Sequence, residues 1–243
     1  MTTPKPVNQF HTTRWSIVIG VGQLDSQKAK IALADLCQLY WLPLYSYLRR
    51  TGSNPADAED IVQSFIAMLL ERRDLESLSP EKGRFRSFLL ASLKHYLSNL
   101  RDQQRTLKRG GSYRTISIEI EADERRLLCE PIEKETPESC FQRQWALMIL
   151  DRVKSGLRTE FAAKGREEQF LKLEIYLTSD RNIPGYAEVA TELGMTEAAI
   201  KMAVSRMRKR FREILREEIA QTVSSEEEID DEIHCLISAL QSR

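Results

Sequence analysis

Tyr186-Ala-Glu-Val-Ala-Thr-Glu-Leu-Gly194-Met-Thr-Glu-Ala-Ala-Ile-Lys-Met-Ala-Val-Ser-Arg-Met-Arg-Lys-Arg-Phe211 reads as a short helix, a tight turn and a longer helix with a basic face. This is the sequence form of a helix-turn-helix, whose second helix enters the major groove of DNA. Gly194 falls where the chain must reverse, and glycine tolerates the positive φ that such turns use. Thr196 is placed to cap the second helix. Ile200, Val204, Met207, Phe211 and Leu215 recur at helical spacing and form the expected core stripe. Lys201, Ser205, Arg208 and Arg212 share another face, and Arg206 and Arg210 flank the stripe.

An apolar stripe is core whatever the function, and a basic face is often only solvated. Concentration of charge favours a ligand here. Residues 201–216 hold seven Lys or Arg against one acid, Glu213. Such a stretch is an electrostatic footprint for phosphates.

The chain has 36 basic and 36 acidic residues, so its net charge hides a strong segregation. Residues 82–114 contain nine Lys or Arg and one acid, Asp102. Residues 119–138 contain eight acids and three bases, and residues 217–232 contain eight acids and no base. Two basic blocks separated by an acidic connector imply two DNA-facing surfaces on one chain of 243 residues. That length accommodates two small domains with real cores. No apolar run approaches the roughly 20 residues of a membrane span, and residues 1–10 lack the apolar centre of a signal peptide. A cytoplasmic protein without membrane insertion is expected. The four cysteines show no paired spacing and only three histidines are present, so no metal site, no cofactor and reduced thiols are expected.

The pattern along the chain predicts an all-α fold. Leu33, Leu36, Cys37, Tyr40, Trp41, Leu44 and Leu48 form a wide apolar stripe. Asn54-Pro55 restarts a helix, with Asn as cap and Pro at the first helical position. Its apolar face is Ile61, Val62, Phe65, Met68 and Leu69, and Asp57, Glu59 and Asp60 suit the positive end of its dipole. Phe85, Phe88, Leu89, Leu93, Tyr96, Leu97 and Leu100 mark a long basic helix to about Arg105. Thr115–Ile120 alternates but has no partner strand, and it reads as extended linker. Thr136-Pro137 caps a helix to about Phe161, and a charged helix with Phe170 and Leu173 follows. Ser225-Glu-Glu-Glu opens an amphipathic tail helix carrying Ile229, Ile233, Leu236, Ile237 and Leu240.

Asp57-Ala-Glu-Asp-Ile-Val-Gln63 with Phe65 resembles the core-binding helix of bacterial RNA polymerase sigma factors. Phe85-Arg-Ser-Phe-Leu, then Lys94-His95 and Asn99, resembles their promoter-melting helix, and the helix-turn-helix resembles their C-terminal DNA-binding domain. The order and spacing resemble the extracytoplasmic-function (ECF) group. His11-Thr-Thr-Arg-Trp-Ser16 and Glu217-Glu-Ile-Ala-Gln-Thr-Val223 resemble a subgroup of it that ends in an acidic helical tail.

The resemblance implies two small helical domains joined by an acidic linker. Residues 1–26 would be an N-terminal extension, 27–105 sigma domain two, 106–136 the linker, 137–223 sigma domain four with the helix-turn-helix at 186–212, and 224–243 an acidic helical tail. It implies core polymerase contacts at Asp57, Asp60, Gln63 and Phe65. It implies minus-ten DNA contacts at Lys82, Gly83, Arg84, Phe85, Lys94, His95, Asn99, Arg101 and Arg105. There a glycine allows close backbone approach, cations bind phosphate and an aromatic stacks or wedges; Phe85 and Phe88 read alternatively as core, and for Phe88 core is the favoured reading. The implied minus-35 contacts are Thr196, Glu197, Ala198, Lys201, Ser205, Arg206 and Arg208. His95 and Asn99 stand where the family often has Asn and Asp, and Ala203 stands where it commonly has Arg.

The implied function is non-catalytic: binding core RNA polymerase and directing promoter recognition and DNA opening. The implied partners are core RNA polymerase and promoter DNA, with an anti-sigma factor or another regulator left open and a monomer expected when free. The competing reading is a stand-alone helix-turn-helix regulator that dimerises through its N-terminal helices. The second basic block weighs against it, because a dimerisation domain needs no phosphate-binding helix. The acidic connector reads equally as a nucleic-acid mimic in a basic channel or as solvated linker. The tail is expected to pack on the C-terminal domain, with cover of the recognition helix and docking of a regulator as alternatives.

Overall fold

Asn54 caps the second helix as its sequence predicts: the Asp57 amide donates to Asn54 Oδ1 at 2.9 Å and the Ala58 amide to the Asn54 carbonyl at 3.0 Å. Thr136 does the same at the start of a later helix, its Oγ1 accepting from the Ser139 amide at 3.1 Å. Thr196 Oγ1 accepts from the Ala199 amide at 3.2 Å. Three caps legible as Asn, Thr and Thr therefore fix three helix starts.

The computed structural model describes residues 26–71, 84–106, 135–177 and 183–241. The described residues are all-α, with no strand: α1 is Ser26–Arg50, α2 Pro55–Glu71, α3 Phe85–Thr106, α4 Pro137–Ala163, α5 Glu167–Leu173, a 3-10 turn Glu174–Leu177, α6 Tyr186–Glu192, α7 Glu197–Ala220 and α8 Glu227–Gln241. The extension at 1–25, Lys82, Gly83, Thr115–Ile120 and nearly all of the acidic linker lie outside the described residues.

The chain divides into two compact units, one reaching Leu147 and resuming at Ile219, the other Met148–Glu218. Both divisions fall inside helices, α4 and α7. Helix α8 therefore belongs with α1–α3, and the expectation that the tail packs on the C-terminal domain is not met. The reason is a long-range pairing: α8 carries a carboxylate, Glu232, that is satisfied by arginines at the start of α3.

In the first unit, every residue of the α1 stripe is buried. Helix α2 turns Ala58, Val62, Phe65, Ile66 and Leu69 inward, while Ile61 and Met68 are half-buried at the edge of that face. Helix α3 contributes Phe85, Phe88, Leu89 and Leu93, and α4 contributes Cys140, Phe141, Trp145 and Ala146. Aromatic rings join these elements: Tyr40 meets Phe85 edge-on at 5.0 Å, and Phe65 meets Tyr96 at 5.6 Å. Cys37 is enclosed on the same stripe, and burial pushes its thiol up to about 12. Glu135, just ahead of α4, is held from two sides. The Arg50 side chain donates to its carbonyl, and Arg143 Nε lies 2.7 Å from its carboxylate.

The second unit buries Ile149, Val153, Leu157, Phe170, Leu173, Tyr176, Val189, Ala190, Ile200, Val204 and Met207. Ile214 joins Leu215 on the buried face of α7, and Phe211, expected there, is half-buried. Gly194 has φ +61, the left-handed backbone that the reversal between α6 and α7 requires. No helix of the described residues is long and apolar enough to cross a membrane.

Candidate nucleic-acid interface

Helix α2 displays the expected polymerase-facing groups unevenly. Asp57 and Asp60 are exposed and Gln63 is half-buried, with Asp60 and Gln63 one turn apart. Asp57 is engaged locally, its Oδ2 accepting from Asn54 Nδ2 at 2.8 Å. Phe65 is fully buried against Tyr96, so its place is the core beneath this face.

Helix α3 has a continuous polar face. Lys94, His95, Ser98, Asn99 and Arg101 are all exposed, and the helical period gathers them within one arc, opposite Leu89, Leu93 and Tyr96. Lys94 Nζ sits 2.7 Å from Glu138 Oε1 on the first turn of α4, both side chains being about half exposed. This contact raises the Lys94 ammonium and holds the Glu138 carboxyl below its usual range. Such an exposed pair contributes little to stability. Arg105 lies on α3, with its side chain outside the described residues.

The start of α3 departs from the expectation of an open DNA loop. Phe85 is fully buried, packed on Tyr40 and Phe88, and its amide donates to the Thr222 carbonyl at 3.0 Å. An aromatic enclosed in this way has no face to offer a base, so in this structure Phe85 is core. Arg84 is partly exposed and meets Glu232 Oε2 at 3.2 Å, Asp231 Oδ2 at 3.5 Å and Cys235 Sγ at 3.4 Å. Arg86 is buried: Nε and Nη2 donate to the two oxygens of Glu232 at 2.5 and 2.8 Å, Nη1 donates to Gln142 Oε1, and the guanidinium lies 4.7 Å from the centre of the Trp145 ring. Burial works against the Arg86 charge, and the Glu232 hydrogen bonds and charge together outweigh it and raise the guanidinium.

Sequence reasoning overlooked Arg86 and Glu232. A signal was present, because Glu232 lies three residues after Ile229 and four before Leu236, inside the apolar stripe of the tail. A carboxylate on a core stripe needs a buried cation.

In the second unit, Thr196 serves as helix cap, and Glu197 and Ala198 are exposed in the first turn of α7. Lys201 is exposed, 2.6 Å from Glu197 Oε1 and 5.8 Å from the centre of the Tyr186 ring. Ser205 and Arg206 are exposed on successive positions. Arg208 is exposed as well, but its guanidinium is engaged within the unit. Its Nε and Nη2 both donate to the Tyr176 carbonyl, at 3.0 and 2.8 Å, tying α7 to the 3-10 turn. Arg210 is likewise engaged, with Glu160, Glu213 and Glu217 around it, and it holds the Glu160 carboxyl below its usual range. A groove of about 890 Å³ beside α7 has Phe161, Leu193, Met195 and Met202 on its walls and Arg206 among its lining residues. The basic face of α7 is thus thinner than its composition suggests. Arg208 and Arg210 brace the unit, leaving Lys201, Ser205 and Arg206 on the outer surface of the first turns.

No group of His, Cys, Asp and Glu among the described residues could hold a metal ion. No curated protein and no solved structure matches the chain. Residues 36–106 match the family model of sigma-70 region 2, a span that runs from the middle of α1 through α2 to the end of α3. The polar face of α3 and the acidic start of α2 both lie inside it. This match supports a sigma factor of the sigma-70 family, one that acts in promoter recognition with RNA polymerase.

Proposed function

We propose that this chain is an ECF-type sigma factor that binds core RNA polymerase through α2, opens promoter DNA along α3 and reads an upstream element with α7. The observation that carries the reading is the sigma-70 region 2 match over 36–106, with the exposed row Lys94, His95, Asn99 and Arg101 inside it. Asp60 and Gln63 form the polymerase-facing pair. Lys82, Gly83, Arg84 and the α3 row bind the single strand at the minus-ten element. Lys201, Ser205 and Arg206 approach the groove of the minus-35 element, where a bidentate arginine–guanine contact would supply about 1–3 kcal/mol of discrimination. Domain two is built on residues 27–105, with the start of α4 and the tail 224–243 in the same compact unit, 106–136 is the tether, and domain four is the 137–223 segment centred on the unit 148–218. The protein is cytoplasmic, monomeric when free and without catalysis of its own, with an anti-sigma factor or another regulator as a further partner.

Size-exclusion chromatography with core polymerase, beside duplex DNA binding by the protein alone, tests this reading. Co-elution with core and weak, salt-sensitive duplex binding alone are expected. Tight duplex binding with no association with core would establish a stand-alone regulator instead.

A further inference from the structure

We propose that helix α8 is an intramolecular competitor for the nucleic-acid phosphate at the start of α3, holding Arg84 until a single strand displaces the tail's acids. The proposal rests on the reading above, in which Arg84 contacts DNA.

Two arginines share one tail carboxylate, and they differ in what surrounds them. The Arg86 guanidinium is enclosed, with both Glu232 oxygens, Gln142 and the Trp145 ring around it. The Glu232 side chain is 0% exposed, so this pair anchors α8 to α3 and does not open for a ligand. Arg84 stands at the rim of the same carboxylate, its side chain 23% exposed, and its outer partner Asp231 is 72% exposed. An ion pair so open to water is weak and is screened by salt. Its replacement by a phosphate oxygen exchanges one anion for another at the same guanidinium. The Phe85 amide donating to Thr222 and Cys235 Sγ facing Arg84 place the tail and the segment before it around this one cation.

The surrounding sequence fits a competitor. Residues 226–232 hold six acids among seven positions, and they sit against the unit that carries the basic block at 82–114. An acidic helix over an arginine that follows a Lys-Gly dipeptide offers the same charge that a nucleic-acid strand would. A ligand shifts such an equilibrium by the difference in its affinity for the two states. The strand gains Arg84 only when Asp231 and Glu232 Oε2 give it up, while Glu232 keeps Arg86, and DNA binding is lowered by that competition.

A double-mutant cycle at Arg84 and Asp231 tests it, using the full-length protein and a labelled single-stranded DNA of mixed sequence, read by fluorescence anisotropy. Asp231 is exposed, so Asp231→Asn leaves the helical circular dichroism unchanged. Asp231→Asn is expected to tighten binding by about threefold, the scale of an exposed ion pair. Adding Arg84→Ala to Asp231→Asn is expected to remove that gain. Three results would overturn the proposal. If the gain survives in the Arg84→Ala background, it is a general effect of removing a negative charge. If Asp231→Asn leaves affinity unchanged or lowers it while Arg84→Ala weakens binding, Arg84 contacts DNA unhindered: the reading of Arg84 stands and the competition does not. If no variant in the cycle alters affinity, Arg84 does not contact the strand, and that reading fails together with the inference.

Discussion

Glu232 of α8 closes on Arg86 of α3 across 146 residues of sequence, with both carboxylate oxygens engaged by one guanidinium at 2.5 and 2.8 Å. The contact makes the acidic tail a structural part of the unit that carries the region 2 match. It also fixes the backbone immediately ahead of the polar face of α3, since Arg86 lies in the first turn of that helix.

Glu232→Ala leaves the Arg86 guanidinium buried without its anion, and Arg86→Ala leaves the buried Glu232 with only the rim contact to Arg84. Glu232→Ala or Arg86→Ala is expected to destabilise the protein by about 3–5 kcal/mol, read by urea unfolding followed by circular dichroism. Replacing both, as Arg86→Met with Glu232→Leu, is expected to cost much less than either single change. Additive losses would show that the two residues act separately.

Phe85 is enclosed in the core, so Phe85→Ala is expected to cost about 3–5 kcal/mol of stability. Phe85→Leu keeps most of the apolar volume and is expected to leave single-stranded DNA affinity unchanged. A selective loss of affinity in a stably folded Phe85→Leu protein would mean that the ring reaches the base after all.

Two arginines of α7 two residues apart should separate by phenotype. Arg208 donates twice to the Tyr176 carbonyl, and Arg208→Ala is expected to lower thermal stability. Arg206 lies on the outer surface, and Lys201→Ala with Arg206→Ala is expected to leave stability unchanged. That pair should lower duplex affinity and reduce its salt slope by about 1 for each phosphate no longer neutralised. An unchanged slope would mean that α7 does not bind the phosphates.

Arg210 holds the Glu160 carboxyl below its ordinary value, which fixes the sign of a pH effect. A carboxylate whose folded value is depressed contributes stability above its unfolded value and loses it as pH falls through the folded one. The stability advantage of the wild-type protein over Glu160→Gln is therefore expected to be greatest from neutral pH down to the ordinary glutamate range. It should shrink on acidification below that range. A constant difference across an acid titration would show that the Arg210 contact is not made by the ionised carboxylate.

Helix positions and their caps were legible because they are local. The stripe from Leu33 to Leu48 has a clear helical period, and Asn54, Thr136 and Thr196 carry cap chemistry in their own side chains. The short helix α6, the turn at Gly194 and the longer helix α7 were legible for the same reason. Placement of the tail was not, because it depends on a pair of residues far apart in the chain. Phe85 shows the same limit. In sequence it sits between a basic loop and a basic helix, where an aromatic suits stacking on a base as well as packing on a core. The Tyr40 ring decides between these, and Tyr40 lies 5.0 Å away on α1, across α2 in sequence. Charge was over-read at Arg208 and Arg210, since composition does not reveal which arginines already hold a carbonyl or a carboxylate.

On the face of α2 proposed to meet polymerase, Asp60→Ala with Gln63→Ala is expected to weaken association with core polymerase by about tenfold, roughly 1.4 kcal/mol, without loss of helical signal. Unchanged association would move the docking face elsewhere.

The most direct test of the central claim is transcription from a library of DNA fragments by bacterial core polymerase, with and without this protein, followed by sequencing of the transcript ends. Discrete start sites that require both components, and that fade with Asp60→Ala and Gln63→Ala, are the predicted result. Start sites that form equally without the protein, or none when core and protein are both present, would contradict it.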